Sequence, residues 1–172
     1  MNNDELRERL TELSDGDTMA FEIIYKELST PMYTIIIRIV QDRSLAEDTL
    51  QEVFFKLYMS PPTGIKNPRA YLFQMARNLA IDSVRKKTQF ADWDDCENLI
   101  HLPIDDLPEK VDIENAMKAL PLIECQIVSL HINGGLKFRE IAEIMNTPLG
   151  TILWKYHKSI NRLRSYLSGG AI

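Results

Sequence analysis

Between Thr88 and Asp112 the chain carries eight acidic groups against one basic group, the helix breakers Pro103 and Pro108, and no sustained apolar period. Such a stretch cannot bury a core of its own, so it divides the 172 residues into two segments that must each fold by helix or sheet packing. The length allows one ordinary domain or two small ones, and the acidic divider favours two. Apolar residues make up 45% of the chain, enough to bury a core in each. Only 7 glycines and 8 prolines interrupt it, and apolar residues nowhere alternate with polar ones for long. The expected fold class is all-α: two small helical domains joined by an acidic linker. The boundaries expected are an N-terminal extension over 1–17, a first domain over 18–87, the linker over 88–112, a second domain over 113–168 and a tail over 169–172.

The formal net charge of −5 conceals the same division. Residues 1–17 carry −4, residues 18–87 carry +3, the linker −7 and residues 113–172 carry +3. Two mildly basic segments flank an acidic one, so the overall acidity does not exclude nucleic-acid binding by either.

In the first segment Asp17 is placed to cap a helix with Phe21, Ile24, Tyr25 and Leu28 on one stripe. Ser29-Thr30-Pro31 is expected to stop that helix and start a second, with Tyr33, Ile36, Ile37 and Val40 as its stripe. A third is expected from Ser44, with Glu47 completing a capping box and Ala46, Leu50, Val53 and Leu57 facing inward. Its opposite stripe holds Asp48, Gln51, Glu52 and Phe55: a solvated face with one aromatic, or a partner surface, and spacing alone does not choose.

After the loop from Met59 to Lys66, Asn67-Pro68 signals the start of a long helix to about Lys87. Leu72, Met75, Ala76, Leu79 and Ser83 fall on one stripe, and Gln74, Arg77, Asn78, Ile81 and Arg85 on the other. From Lys66 to Lys87 there are six basic groups and one acid, Asp82. Tyr71 and Phe73 interleave with them, which suits either base stacking beside a neutralised backbone or ordinary inward packing.

The second segment carries the sharper pattern. A short helix over Ile113–Leu120 stops at Pro121, and a mostly apolar one follows to Asn133-Gly134-Gly135. Phe138 to Met145, the turn at Asn146-Thr147-Pro148 and a helix from about Leu149 to Leu163 then make helix, tight turn, helix, the arrangement that reads duplex DNA. On the last helix Leu149, Ile152, Leu153, Tyr156, Ile160 and Leu163 share one arc, and Thr151, Trp154, Lys155, Lys158 and Arg162 the other. A cationic outer arc fits the major groove, with Lys and Arg for phosphates and Thr151 for base edges. Trp154 suits a thymine methyl or sugar, or equally a protein partner.

Enzyme chemistry finds no foothold. His101, His131 and His157 lack metal-ligand spacing, and no phosphate-binding glycine loop or nucleophile motif is present. Cys96 and Cys125 form neither a zinc nor a disulfide pattern, which fits a reducing cytoplasm. No apolar run approaches a membrane span, and the N-terminus lacks the pattern of an export signal.

At the level of motifs, Ala46-Glu47-Asp48-Thr49-Leu50-Gln51-Glu52-Val53-Phe54 and the run Arg69 to Asp82 resemble bacterial sigma factors of the extracytoplasmic-function group, within the sigma-70 family. Phe138 to Met145, Pro148-Leu149-Gly150-Thr151-Ile152 and His157 to Leu163 resemble that group's second domain, in the same order and after a short acidic linker. The resemblance implies a promoter-melting domain over 18–87 (region 2) and a helix-turn-helix domain over 113–168 (region 4). It implies that Asp48, Gln51, Glu52 and Phe55 dock on core RNA polymerase. The loop from Met59 to Lys66 would then cradle a base flipped from the minus-ten element, with Lys66, Asn67, Arg69, Tyr71, Arg77, Asn78 and Arg85 on the melted strand. Thr151, Trp154, Lys155, Lys158 and Arg162 would read the minus-thirty-five element.

Core RNA polymerase, promoter DNA and an anti-sigma factor are the partners implied, with no cofactor, no metal and no membrane insertion. Leu153 and Trp154 depart from the family pattern, which usually has a basic and then a small polar residue there, and Ile160 replaces a common basic residue. Outside this family, the residues also fit a dimeric helix-turn-helix regulator that binds operators without polymerase, or a purely helical interaction protein.

Overall fold

In the computed structural model, residues 1–88 and 108–168 are described, and every regular element among them is an α-helix. Most of the acidic linker, including Phe90, Trp93, Cys96 and His101, lies outside the described residues. The helices are α1 (Asn3–Ser14), α2 (Thr18–Val40), α3 (Arg43–Met59), α4 (Pro68–Thr88), α5 (Pro108–Lys118), α6 (Leu122–Ile132), α7 (Phe138–Ile144) and α8 (Leu149–Leu167). They divide into two compact units, Met1–Ala91 and Asp92–Ile172.

The first unit begins with a helix, α1, where an N-terminal extension is expected from the sequence. Asn2 Oδ1 accepts the amides of Asp4 and Glu5 at 2.8 and 2.9 Å, and Glu5 Oε2 accepts the Asn2 amide at 2.9 Å. This reciprocal cap satisfies donors that the first turn would otherwise leave orphaned. Leu6, Leu10 and Leu13 then bury one face of α1, which packs on α2 and α4. Each buried leucine contributes about 1.5–3 kcal/mol by leaving water, so α1 is part of the bundle and not an appendage.

The stop expected at Pro31 does not occur: α2 continues through it. Ile24, Leu28, Met32, Ile35 and Ile39 form one buried stripe across the proline, and packing on α3 and α4 holds a helix that local propensity would have ended. The continuous register buries Ile35 and Ile39, which a restart at Pro31 had not placed in the core. Gln41 ends α2 in the left-handed conformation (φ 53°), donating its amide to the Ile37 carbonyl at 2.9 Å.

The start of α3 also differs from expectation. Asp42, not Ser44, is the cap, its Oδ1 accepting the Leu45 amide at 3.0 Å, while Glu47 pairs outward with Arg43 at 3.0 Å. Across the interface Thr49 Oγ1 lies 3.1 Å from Ser83 Oγ, and Lys87 Nζ meets Asp42 Oδ2 at 2.7 Å, fastening α4 to α3. The Asp42 carboxyl is held below its ordinary range, chiefly by the hydrogen bond from Lys87 and then by the Leu45 amide.

In the second unit Pro108 opens α5 instead of breaking a helix, since a first-turn proline gives up no helical bond. Met117, Leu120, Cys125 and Val128 form a core onto which Tyr156 and Leu163 of α8 pack. From Glu124 to Leu130 every residue of α6 is buried. Glu124 is tolerated there because Arg162 Nη1 and Ser159 Oγ donate to its Oε2 at 2.8 and 3.3 Å. A Cβ on Gly134 would lie 2.5 Å from the Leu130 carbonyl oxygen, so only glycine fits the exit from α6.

Candidate nucleic-acid interface

The turn between α7 and α8 has the geometry its sequence predicts. Asn146 adopts φ 47°, and Thr147 donates its amide to the Ala142 carbonyl at 3.0 Å and its hydroxyl to the Met145 carbonyl at 3.0 Å. Ile141, Ile144 and Ile152 are buried where the two helices meet. His131 braces the approach: Nδ1 lies 2.8 Å from the Leu136 carbonyl oxygen, and the ring stacks on Phe138 at 4.2 Å between centroids.

The five expected residues of α8 share one arc, with Trp154 exposed and Thr151, Lys155, Lys158 and Arg162 half-buried. Trp154 is 58% exposed, with Lys158 Nζ 4.7 Å and Lys155 Nζ 6.0 Å from its ring centroid. The indole thereby holds two ammonium groups beside it, a cation–π arrangement that limits where both charges can go. Arg162, at the far end of the arc, is turned to Glu124. His157 and Asn161, exposed beside the arc, were not among the expected contacts, because the helical projection placed the arc to one side of them.

Of the seven residues assigned to the melted strand, the structure places three on one line. Tyr71, Asn78 and Arg85 repeat every seven residues along the exposed side of α4, spanning about 21 Å. Gln74 is exposed on the same side and belongs with them, although no charge marked it. Phe73, the other aromatic of the run, is fully buried and roofed by the Arg69 guanidinium at 5.5 Å. Arg77 lies half-buried on the flank of the helix, where burial lowers its pKa from the ordinary value.

Lys66 is exposed, whereas Asn67 and Arg69 contact the N-terminal segment. Asn67 Oδ1 accepts from Asn3 Nδ2 at 2.7 Å, the Arg69 amide donates to Asn3 Oδ1 at 3.1 Å, and Arg69 Nη1 donates to the Met1 carbonyl at 3.1 Å.

On α3 the expected stripe is exposed at three of its four positions. Asp48 and Gln51 are exposed, Glu52 is half-buried with Lys56 Nζ 3.2 Å away, and Phe55 is 64% exposed. Its neighbour Phe54 turns the other way, into a ring cluster with Tyr25 and Phe21 at 4.7 and 6.1 Å. Tyr58 and Met59 extend the exposed apolar surface beyond Phe55 and were missed because they follow it at the helix end. Among the described residues no cluster of His, Cys, Asp and Glu could hold a metal ion, and no helix is long and apolar enough to cross a membrane.

Comparison with known proteins follows the same lines. Residues 24–90 match the family model of Sigma-70 region 2. The ECF RNA polymerase sigma factor SigK of Mycobacterium ulcerans (strain Agy99) is 25% identical over 96% of this chain and 95% of its own length. SigM of Bacillus subtilis (strain 168), also an ECF RNA polymerase sigma factor, is 27% identical over 88% of this chain and 98% of its own. Among solved structures, the sigma factor RpoE of Bartonella quintana, in complex with the anti-sigma factor NepR, superposes with a TM-score of 0.70 at 20% identity, covering 86% of this chain and 96% of that one. CnrH, in complex with the cytosolic domain of CnrY, gives a TM-score of 0.66 at 13% identity over 97% and 99%. With the motifs of both halves in order along it, the chain is similar over nearly its whole length to sigma factors of the extracytoplasmic-function group, and its residues 24–90 match region 2 of the sigma-70 family.

Proposed function

We propose that the chain joins core RNA polymerase and directs it to a set of promoters, which it helps to open. The observation that carries this reading is the exposed line Tyr71, Gln74, Asn78 and Arg85 on α4, inside the segment that matches region 2. An aromatic face, two amides and a guanidinium spaced along one side suit a single strand whose bases are stacked and whose backbone is neutralised. Residues 18–87, with α1 packed on them, act as the promoter-melting domain, the helices from α5 to α8 as the upstream reader, and the acidic linker that ends where α5 begins connects them.

In this reading Asp48, Gln51, Glu52 and Phe55 dock on the polymerase, with Phe55 as the apolar anchor and the carboxylates selecting a basic surface. The loop before α4 receives a base extruded from the minus-ten element, with the Asn67 amide at its end, and Lys66, Arg69, Arg77 and Arg85 supply positive charge around the melted strand. In the upstream element Thr151 and Trp154 meet base edges, Lys155 and Lys158 meet phosphates, and Arg162 holds the recognition helix through Glu124 while adding its charge. The bond-making chemistry belongs to the polymerase. An anti-sigma factor controls access, a reading supported by the complex of the structural relative RpoE with the anti-sigma factor NepR.

Run-off transcription with the host's core polymerase and a pool of its genomic fragments tests the reading. Transcripts that begin at defined sites only when the chain is added are expected. Specific duplex binding by a dimer of the chain alone, with no factor-dependent transcript, would replace it with the operator-binding regulator.

A further inference from the structure

The loop between α3 and α4 is held from outside itself. Pro61 and Pro62 have no amide hydrogen to give, and Gly64 turns the chain at φ 71°, a conformation strained for any other residue. From α1, Arg7 reaches across: its Nη2 donates to the Lys66 carbonyl at 2.9 Å and its Nε to the Ile65 carbonyl at 3.4 Å, while Nη1 is fixed by Asp4 at 2.8 Å. One turn earlier on the same face, Asn3 holds the Asn67 side chain and the Arg69 amide together. A planar guanidinium with three of its donors engaged is a stiff brace, and charge-assisted bonds to two successive carbonyls fix the direction of the peptide between them.

We infer that Asn3 and Arg7 are positioning residues that set the shape of the loop from Ser60 to Asn67, and through it the choice of base that the loop accepts. The inference rests on the proposed role of this loop in receiving an extruded minus-ten base. The buried leucines of α1 anchor the brace to the bundle, so it serves as a fixed support and not as a cover that must lift. Neither residue needs to touch DNA.

Holoenzyme reconstituted with wild-type chain, Arg7→Ala, Arg7→Lys or Asn3→Ala is titrated against two fork templates, one with the natural minus-ten strand and one with an abasic site at the extruded position. Wild type is expected to favour the natural strand. In Arg7→Ala that preference should fall about tenfold, the effect of losing a charge-assisted hydrogen bond. Arg7→Lys, able to serve only one carbonyl well, should fall between, and Asn3→Ala should move the same way. Co-purification with polymerase and the melting temperature of the chain should stay near wild type.

A role confined to fold support would instead lower melting temperature and polymerase association while leaving the preference intact, and that result overturns the inference. Tighter strand binding by Arg7→Ala would also overturn it, by making α1 a cover. If wild-type holoenzyme itself shows no preference for the natural strand, the base-receiving role of the loop fails, and the inference falls with it before any variant is compared.

Discussion

Arg162 extends from the outer arc of α8 to the buried carboxylate of Glu124, 2.8 Å away, so one cation on that arc also neutralises a core acid. Arg162→Gln should therefore destabilise the second unit by about 1–3 kcal/mol, since removing one partner strands a buried charge. Lys158→Gln, on the same arc without a buried partner, should stay within about 0.5 kcal/mol of wild type. Urea denaturation followed by Trp154 emission in a Trp93→Phe background measures both.

Leu10 is fully buried between α1 and the bundle. Leu10→Ala should cost the first unit about 2–5 kcal/mol by lost transfer energy and the cavity left behind. Circular-dichroism melts of the variant check this, and an unchanged melt would show that α1 is not integral to the fold.

On α3, Phe55→Ala and Glu52→Lys should leave thermal stability nearly unchanged, because both side chains project outward. Polymerase association should weaken about tenfold or more for Phe55→Ala, as for the loss of an interface anchor, and should be abolished by the charge reversal. Competition for core polymerase against the wild-type chain reads both.

Asp42 has a folded pKa below the ordinary 3.8, set first by Lys87. A depressed carboxyl stabilises the fold at pH values above its unfolded pKa, and that contribution is lost as pH falls through the lowered folded value. Stability of the first unit should therefore decline below about pH 3.8 in wild type, and Asp42→Asn, which keeps the cap acceptor but cannot ionise, should flatten this part of the profile. Because the pair is exposed, added salt should shrink the difference.

Much of this architecture was legible in the residues themselves. Ala46, Val53 and Leu57 announced the inner face of α3, and the turn at Asn146 was readable because few residues tolerate a left-handed backbone. Pro31 misled because a local rule met a buried stripe from Ile24 to Ile39 that outweighs one missing hydrogen bond. Pro108 misled the other way, since a proline that breaks a helix interior can also begin a helix.

α1 was overlooked although Asn2 with Glu5, and Leu6, Leu10 and Leu13 at helical spacing, carried a sufficient signal; its acidity set it apart from the basic segment that follows, as an N-terminal extension. Long-range pairing was the least legible level. That Asn67 and Arg69 meet Asn3, and Arg162 meets Glu124, depends on how helices pack and on no spacing along the chain. Tyr71 and Phe73 could not be told apart by composition, and packing separates them, one outward and one into the core.

Permanganate probing of unpaired thymines on promoter duplex, with core polymerase alone, the chain alone and the two together, tests the central claim most directly. Reactivity confined to the minus-ten region and present only in the combined sample is the predicted result. Equal reactivity with core polymerase alone, or none in the combined sample on any template that the chain recruits polymerase to, would contradict it.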